Sequence, residues 1–506
     1  MYETIERINS ALNGFIWGPV MLVFFIAVGL LFTIRSGVFQ ISHFGLWIKA
    51  TLLSIFKRKD VRKTDDKHAI SQFQSLCTAL AATVGTGNIV GVATAIALGG
   101  PGAVFWMWLS AFLGMMTNFG ENTLGIKYRY KDEKGQWVGG AMIYIERGLG
   151  SVFKNSKIKF FREAKFLHNW KWLAVLFSIF CMLASFGIGN MSQANSIASG
   201  IEGAFFSNLS TAYIFGNVTW VKAIVAVVIM ALVSLVVLGG IKRIASVAEK
   251  IVPFMVVLYL IGGLVIIFSN IGNIGNAFGM IFSEAFKPQS AAGGLIGYGL
   301  AEAARRGISR GVFSNEAGLG SSVMVHSASD VKEPVQQGMW GIFEVFADTI
   351  IVCTITALSI LASGVFTVEG HLAAMALGDL PNHMTGAGLT QAAFDTILPY
   401  GLGSKFVSIA ILLFAFTTIL GWSYYGERAV TYLFGPKSVV PYKVIFILVI
   451  AFGCMSGLAL VWDISDTFNG FMAVPNLIAI TLMSGQVIAM IQDYKSRNNL
   501  GRVAKK

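Results

Sequence analysis

The composition of the chain is that of a membrane protein. Its 506 residues are 55% hydrophobic and only 13% charged, and the mean hydropathy is +0.68. Several apolar runs reach the length of about 20 residues that a helix needs to cross a bilayer. A formal net charge of +12 would suggest nucleic-acid binding in a soluble chain, but here the basic residues cluster in a few loops between apolar runs. Such clusters indicate membrane orientation, so we expect a lipid bilayer and no nucleic acid as partner.

Cysteine and histidine are placed in ways that argue against metal binding, disulfide bonds and catalysis. The cysteines all fall inside predicted membrane spans and lack Cys-x-x-Cys spacing: Cys77, Cys181, Cys353 and Cys454. The histidines are scattered in loops or near the ends of spans: His43, His68, His168, His326, His371 and His383. Because this pattern offers no nucleophile–base pair and no metal-ligand cluster, we expect no enzyme and no cofactor.

The first apolar run, 15–34, is predicted to remain in the protein as a transmembrane helix. The residues before it carry Glu3 and Glu6 against Arg7, and no small-residue cleavage site follows, so no removable signal peptide is expected. An amphipathic piece at 41–56 comes next. A basic loop then contains Lys57, Arg58, Lys59, Arg62, Lys63 and Lys67. Cytoplasmic loops are rich in such cations, so this loop is predicted to be cytoplasmic and the amino terminus external.

The next span, 70–99, is interrupted at 83–91 by the sequence Thr-Val-Gly-Thr-Gly-Asn-Ile-Val-Gly. Irregular backbone at membrane depth is tolerated only where the freed polar groups face a cavity or a ligand. We therefore predict an unwound joint at 85–88 between two half-helices. The N–H groups that begin the second half-helix, near Gly87, suit a carboxylate. The carbonyl groups that end the first, at 81–84, suit a small cation.

Nine further spans bring the predicted total to about eleven, in an all-α polytopic membrane protein. They lie at 103–125, 172–199, 219–239, 247–268, 292–328, 336–363, 403–430, 440–462 and 467–492. The long connection at 126–171 is rich in Lys and Arg and is predicted to be cytoplasmic. The long connection at 364–402 carries acidic residues and histidines but no Lys or Arg, so it is predicted to be external.

The order of elements repeats in the two halves of the chain. Each half reads as a broken helix, a helix, a long connection and three helices, and the long connections lie on opposite sides of the membrane. Two five-helix units of opposite orientation are typical of secondary transporters. The chain is thus divided into an extra helix with its amphipathic segment, two repeats and a cytoplasmic basic tail: 1–69, 70–268, 269–492 and 493–506. Coincidence in an ordinary helical bundle is the alternative.

The second break is predicted at 313–320, where the sequence reads Phe-Ser-Asn-Glu-Ala-Gly-Leu-Gly. By the repeat, Asn315 and Glu316 fall where a substrate's amino group would lie. Three arginines stand just upstream and are awkward in a half-helix that enters the bilayer: Arg305, Arg306 and Arg310. They line a wet outer vestibule, pair with Glu302 and Glu316, or mark a span that is displaced from 292–328.

The run Gly-Gly-Pro-Gly-Ala-Val-Phe-Trp-Met-Trp-Leu-Ser-Ala-Phe-Leu-Gly at 99–114 resembles the signature of the alanine or glycine:cation symporter family, the bacterial and archaeal sodium:alanine symporters. The resemblance extends over both breaks and covers about 71–485 in matching order. It implies sodium- or proton-coupled uptake of small neutral amino acids, chiefly alanine and glycine. It also implies a LeuT-type fold, a 5+5 inverted repeat with two broken helices and one extra helix at the amino terminus.

The resemblance also implies a sodium site. Its ligands would be the main-chain carbonyl groups of Ala81 and Val84 and the hydroxyl groups of Thr417 and Thr418. Threonine in a membrane helix often donates back to a carbonyl one turn earlier instead, which is the alternative for both hydroxyl groups. Trp422 follows Thr418 by one turn, on the same helix face, where it either limits the size of a substrate or simply packs.

Gln193 lies in the third helix of the first repeat, at a position that faces the broken helices in this fold. A glutamine in lipid is unfavourable, so its side chain must face inward, either toward a ligand or as a helix–helix contact, as for Asn195. Trp106 and Trp108 are assigned no ligand, because aromatic residues in apolar helices usually pack. The residues predicted to bind substrate are Thr83, Gly85, Thr86, Gly87, Asn88, Gln193, Phe313, Asn315 and Trp422.

Taken together, the sequence predicts a secondary active symporter of the plasma membrane that imports a small neutral amino acid with sodium. Proton coupling and other amino acids, such as glutamine or serine, stay open as alternatives. A channel would be expected to line a pore with repeated rings of charge or carbonyl groups, whereas the polar residues here gather at two breaks. The protein is expected to be a monomer.

Overall fold

Helices make up nearly all of the regular structure. The structure is a computed structural model, and it describes residues 2–155, 158–209, 213–215, 218–287, 299–376, 380–455 and 459–500. The helices before the first break are α1 Tyr2–Ile16, α2 Pro19–Arg35, α3 Phe39–Ser42, α4 Phe44–Ala50, α5 Leu52–Lys57 and α6 Lys59–Arg62. The first break and the helix after it involve α7 Gln72–Thr83, α8 Val92–Gly99 and α9 Gly102–Tyr128.

The rest of the first half contains α10 Ala141–Tyr144, α11 Gly150–Lys154, α12 Lys159–Glu163, α13 Lys171–Phe186, α14 Ser192–Phe205, α15 Trp220–Val237 and α16 Gly240–Ser269. The second half contains α17 Ile274–Ala285, α18 Leu300–Asn315, α19 Val323–His326, α20 Pro334–Val345, α21 Thr354–Ala362, α22 Val368–Ala376, α23 Gly386–Asp395, α24 Leu402–Phe434, α25 Val439–Met455 and α26 Ala459–Arg497.

Shorter elements complete the described part of the chain. π-helical turns occur at Gly87–Gly91, Ile145–Leu149, Gly187–Met191 and Phe346–Cys353, and 3₁₀ turns at Lys165–His168, Ser207–Leu209, Ile271–Asn273, Asn382–Met384 and Pro436–Ser438. Two antiparallel strand pairs join β1 Tyr130–Lys131 to β2 Trp137–Val138 and β3 Tyr213–Phe215 to β4 Val218–Thr219. π-helical turns are frequent at functional sites.

The described residues hold nine helices that are long and apolar enough to cross a membrane. A tenth span is the pair Gln72–Thr83 and Gly87–Gly99, whose two halves are bent by 50° at the break. The predicted all-α fold with many membrane spans and a broken first helix of the repeat is confirmed. The order of a broken helix, a helix, a long connection and three helices occurs in both halves.

The eleventh predicted span, 292–328, has a different form in the structure. Residues 292–298 lie outside the described residues. The remainder consists of the 16-residue α18, an irregular stretch and the four-residue α19. This segment is not among the ten spans for two reasons. Helix α18 carries three arginines and Glu302, and the break leaves neither α18 nor α19 long enough to cross a bilayer.

The first break has local causes. Helix α7 begins at a capping box, in which the Ser71 hydroxyl accepts from the Gln74 N–H and the Gln74 side chain accepts from the Ser71 N–H. It ends at Thr83, and Val84 leaves helical geometry with ψ 84°. The backbone then re-enters through the π-helical turn Gly87–Gly91, so the irregular stretch lies where the sequence predicts it.

The second break follows α18. Glu316 adopts a left-handed conformation with φ 57°, and Gly318 and Gly320 have φ 94° and 72°. Glycine reaches these angles without strain, whereas for Glu316 the conformation requires support from its surroundings. Residues 316–322 therefore form the irregular joint between α18 and α19.

Glycines bring α9 close to its neighbours. A Cβ atom on Gly307 of α18 would lie 2.2 Å from the Ala103 carbonyl oxygen, and one on Gly102 would lie 2.5 Å from the Ala285 nitrogen. The indole N–H of Trp106 donates to the Ala285 carbonyl at 3.0 Å, and that of Trp108 to the Thr354 hydroxyl at 2.8 Å. The run at 99–114 thus serves helix packing, as small residues do in membrane bundles.

The sidedness of the loops gives a first testable prediction. Lys63 and Glu369 are both exposed, and the four native cysteines are all buried. In cells treated from outside with an impermeant maleimide, Lys63→Cys is expected to stay unlabelled because its basic loop is predicted to be cytoplasmic. Glu369→Cys is expected to react under the same conditions. Labelling of Lys63→Cys in intact cells would overturn the predicted orientation.

Candidate substrate and ion site

The first break is held by its own asparagine. The Asn88 Oδ1 atom accepts from the Gly85 N–H at 2.9 Å, and the Asn88 N–H donates to the Gly85 carbonyl at 3.3 Å. The Thr83 hydroxyl donates to the Ala79 carbonyl, 3.3 Å away in its own helix. Gly85 and Asn88 therefore fix the shape of the joint, and Thr83 is engaged within α7.

Thr86 lies at the centre of this joint. Its N–H approaches Gln193 Oε1 at 3.4 Å, while the Gln193 Nε2 atom donates to the Ile188 carbonyl at 3.0 Å. The Thr86 hydroxyl is buried and has no hydrogen-bond partner among the described residues. A buried hydroxyl group without a partner is unfavourable, so this oxygen is available to a bound ligand.

The predicted sodium ligands are brought together in part. The Thr418 Oγ1 atom lies 3.0 Å from the Ala81 carbonyl oxygen, and Val84 is buried at the end of the same half-helix. A Cβ atom on Gly85 would lie only 2.5 Å from Thr418 Oγ1, so that glycine leaves the room for this approach. Two oxygens from α7 and α24 thus converge beside the break.

Thr417 occupies a different face of α24. Its hydroxyl group lies 2.9 Å from the Phe414 carbonyl and 3.1 Å from the Leu413 carbonyl, and it contacts the Met255 sulfur at 3.4 Å. These partners belong to its own helix and to α16. The structure therefore places the Thr417 hydroxyl group away from the first break. The Thr418 hydroxyl group lies 3.0 Å from the Phe414 carbonyl of its own helix and also 3.0 Å from the Ala81 carbonyl beside the break.

The second break packs against the first. A Cβ atom on Gly87 would lie 3.2 Å from Phe313 Cδ1 and 3.3 Å from Ser314 Cα. The Asn315 side chain donates to the Thr349 hydroxyl at 3.0 Å and accepts from the Ala317 N–H at 3.0 Å. Phe313 thus lies beside the joint, and Asn315 shapes the turn that follows it.

Glu316 of the second break is bonded to Trp422 of α24. The indole N–H of Trp422 donates to Glu316 Oε1 at 2.8 Å, and the Ser321 hydroxyl donates to Glu316 Oε2. Both side chains are buried. These bonds support the left-handed backbone of Glu316. Trp422 lies one turn after Thr418 in the continuous helix α24, so the two share a helix face.

The three arginines upstream of the second break pair with other groups. Arg306 binds Glu302 at 2.6 Å and Arg305 approaches the same carboxylate at 3.9 Å. Arg310 lies 3.5 Å from Asp466 of α26 and 5.2 Å over the Phe313 ring. Glu302 is thus a partner, as one of the alternatives predicts, whereas within the described residues no ion pair joins Glu316 to any of these arginines.

Asp348 is a site residue that the sequence reasoning missed. Its Oδ1 atom accepts from Asn88 Nδ2 at 2.7 Å, and its Oδ2 atom accepts from the Ser314 hydroxyl at 2.8 Å and the Thr349 hydroxyl at 2.7 Å. It lies in the π-helical turn Phe346–Cys353 and is fully buried. An aspartate inside an apolar span was the available signal, since such residues are rarely without function.

His326 is a second omission. It was assigned to the scattered histidines, yet it is fully buried at the end of α19, with its Nε2 atom 2.9 Å from Glu344 Oε2 of α20. Glu344 and Glu121 are likewise buried inside spans. Each is an acid in an otherwise apolar helix, the same signal that marks Asp348.

The comparisons with known proteins concern the fold and the family of the chain. The crystal structure of MhsT in complex with L-phenylalanine aligns with a TM-score of 0.50 and 16% identity, over 84% of this chain and 98% of that chain. This likeness shows the fold, which is of the LeuT type. Two broken helices that meet within a bundle of many membrane spans are typical of secondary transporters.

The profile of the Sodium:alanine symporter family matches residues 2–506. The chain is 43% identical over 489 residues to the sodium/alanine symporter AgcS of Methanococcus maripaludis, covering 96% of each chain. It is 34% identical over 504 residues to a Bacillus subtilis protein named as the probable sodium/glutamine symporter GlnT, covering 99% of this chain and 93% of that one. The chain belongs to the sodium:alanine symporter family. Because this is a family of transporters, the expectation that the chain is not an enzyme is confirmed.

Proposed function

We propose that this protein imports a small neutral amino acid, alanine or glycine, together with sodium by alternating access in the plasma membrane. Membership of the sodium:alanine symporter family supports this proposal, as does the 43% identity to a sodium/alanine symporter. Because one relative is named as a probable sodium/glutamine symporter, the substrate of this chain has to be measured and cannot be inferred from the names of its relatives. We further propose that the protein acts as a monomer, with the amino terminus outside and the carboxyl terminus in the cytoplasm.

The observation that carries the proposal is the joint at Thr86, where a buried hydroxyl group without a described partner stands at an interrupted helix. The substrate carboxylate would lie against the N–H groups that begin the second half-helix at Gly87 and Asn88, where the helix dipole favours negative charge. The Thr86 hydroxyl would donate to the same carboxylate. Gly87 would let that group approach the backbone closely, because it has no Cβ atom.

The residues around the joint favour a small substrate. Phe313 lies against Gly87, and the indole of Trp422 is bonded to Glu316 of the second break. Side chains of this size leave room for a hydrogen atom or a methyl group on the substrate rather than for a large side chain. The substrate's ammonium group would lie toward the second break, where Asn315 and the buried carboxylate of Glu316 supply oxygen acceptors. Gln193 would line the opposite wall.

Sodium would bind beside the carboxylate. The oxygens of Ala81, Val84 and Thr418 would be its ligands, and hard oxygen donors suit this ion. The ion would then fix the half-helix next to the joint that binds the carboxylate. Each ligand would raise the affinity of the other by the same factor, which is the thermodynamic condition for coupling. Rocking of the unit 70–268 against the unit 269–492 would expose the site alternately to the two sides.

Uptake into proteoliposomes tests this function. Labelled alanine, glycine, serine and glutamine would be offered with an inward sodium gradient, with a proton gradient, or with neither. We expect saturable, electrogenic uptake of alanine or glycine that requires the sodium gradient. Uptake driven only by the proton gradient would mean that the coupling ion is the proton rather than sodium. Uptake that does not saturate would indicate a channel.

A further inference from the structure

One membrane span is hydrogen-bonded to both breaks. It is the span Pro334–Ala362, which consists of α20, the π-helical turn Phe346–Cys353 and α21. Asp348 lies in that turn, and its side chain is fully buried. One of its carboxylate oxygens is bonded to the first break and the other to the second. The transport mechanism proposed above gives Asp348 no role.

The bond to the first break is made through Asn88. Its Nδ2 atom donates to Asp348 Oδ1 at 2.7 Å and lies 3.2 Å from the Asp348 carbonyl oxygen. The Asn88 Oδ1 atom accepts from the Gly85 N–H, and a backbone N–H can only donate, so this bond sets the orientation of the amide. The Thr356 hydroxyl of the same span donates to the Asn88 carbonyl at 2.8 Å. The span therefore holds Asn88 by its side chain and its main chain, and Asn88 in turn holds Gly85.

The bonds to the second break are made at the end of α18. The Ser314 hydroxyl donates to Asp348 Oδ2 at 2.8 Å, and the Thr349 hydroxyl donates to the same oxygen at 2.7 Å. The Asn315 Nδ2 atom donates to the Thr349 hydroxyl oxygen at 3.0 Å. All of these side chains are buried. Because Ser314 and Asn315 are the last residues of α18, the span holds the chain just where the second break begins.

The proposed substrate site depends on both breaks at once, since the carboxylate would lie at the first and the ammonium group toward the second. These two groups are separated by a single carbon atom, so they reach both breaks only if the breaks are held at a fixed distance. We propose that Asp348 is a positioning residue for the amino acid: its side chain joins Asn88 to Ser314 and so fixes one break relative to the other. It acts as a hydrogen-bond acceptor and contacts neither the substrate nor the ion. This inference rests on the proposed function, because it requires one amino acid to be bound at both breaks.

Asp348→Asn and Asp348→Ala test this role together. The asparagine oxygen can accept from Asn88 Nδ2, and its amide nitrogen can donate to the hydroxyl oxygens of Ser314 and Thr349, because a hydroxyl group both donates and accepts. Asp348→Asn is therefore expected to bind labelled alanine with a dissociation constant within about threefold of wild type. Asp348→Ala removes the link between the breaks, and its dissociation constant is expected to rise by about 10- to 100-fold.

Two further variants complete the comparison. Ser314→Ala removes one bond and keeps the carboxylate, so it is expected to raise the dissociation constant by about fivefold. Thr354→Val is the matched control in the same span, because the Thr354 hydroxyl accepts from the Trp108 indole N–H, which belongs to neither break. It is expected to stay within about twofold of wild type. Purified proteins would be titrated with alanine at saturating sodium. In proteoliposomes, Asp348→Ala should raise the KM for alanine more than it lowers the maximal rate.

An Asp348→Asn protein that binds alanine as weakly as Asp348→Ala would show that the residue acts through its charge, and it would overturn the positioning role. Wild-type affinity in Ser314→Ala would overturn it as well. So would an altered sodium requirement in Asp348→Asn at unchanged alanine affinity, because Asp348 would then be an ion ligand. A wild-type protein that neither binds nor transports any of the labelled amino acids, in either gradient, would instead overturn the proposed function.

Discussion

Gly85→Ala is expected to abolish sodium-coupled uptake, although it adds a single methyl group. The Cβ atom would lie 2.5 Å from Thr418 Oγ1, well inside contact distance, and 3.5 Å from Gln193 Oε1. Gly85 is not among the glycines with positive φ, so alanine is compatible with the backbone and the effect is one of space alone. Thr418 would have to turn its hydroxyl group away from the Ala81 carbonyl. We expect uptake at a fixed sodium concentration to fall by about 100-fold or more.

The same span contains the control. Gly91 is also buried, yet a Cβ atom there would meet no atom within 4 Å. Gly91→Ala should therefore retain uptake within about twofold, since alanine favours helix over glycine. Both variants would be compared by uptake per molecule of purified, reconstituted protein. Equal uptake by the two variants would mean that the space beside Gly85 is not used by the ion or the substrate.

Thr418→Val is expected to raise the sodium concentration needed for half-maximal uptake by about 10- to 100-fold. Valine keeps the shape of the side chain but removes the oxygen that lies 3.0 Å from the Ala81 carbonyl. A lost contact to a charged group is worth about 1.5–3 kcal/mol, which corresponds to that range. The maximal rate should change less than the sodium dependence, because the substrate contacts remain.

Thr417→Val tests whether the Thr417 hydroxyl group binds sodium, as the sequence-based expectation has it, or faces away from the ion, as the structure indicates. Both threonines were predicted to hold sodium, but the Thr417 hydroxyl group contacts its own helix and Met255. We therefore expect a change of less than about threefold in the sodium dependence of Thr417→Val. Titration of uptake against sodium for both variants makes the comparison. A larger shift for Thr417→Val than for Thr418→Val would place the ion on the other face of α24.

The sequence could predict the two breaks because their causes are local. Glycine and asparagine at 85–88 and 313–320 disfavour a continuous helix, and a bilayer tolerates such backbone only at protected positions. The choice between Thr417 and Thr418 is different. Adjacent helical residues differ by about 100° in direction, and only the packing of α24 decides which of them faces α7. That packing is a property of the tertiary structure, so the local sequence pattern could not distinguish the two threonines.

The buried acids were missed for a related reason. Asp348 and Glu344 lie in a span that is apolar on average, and an average over a window does not register one or two charges. Their partners come from distant segments: Asn88 for Asp348, and Asn118 and His326 for Glu344. Pairings between such distant positions follow from the three-dimensional arrangement of the helices. The presence of an acid in a span could still have marked each one as a candidate.

Equilibrium binding of labelled alanine and of ²²Na⁺ to the purified wild-type protein tests the central claim most directly. If sodium and amino acid bind side by side at the first break, sodium must raise the affinity for alanine, and alanine must raise the affinity for sodium by the same factor. We expect that factor to be about tenfold or more, equal in the two titrations within error, and lost in Gly85→Ala. An affinity for alanine that is the same in sodium and in choline would contradict the account.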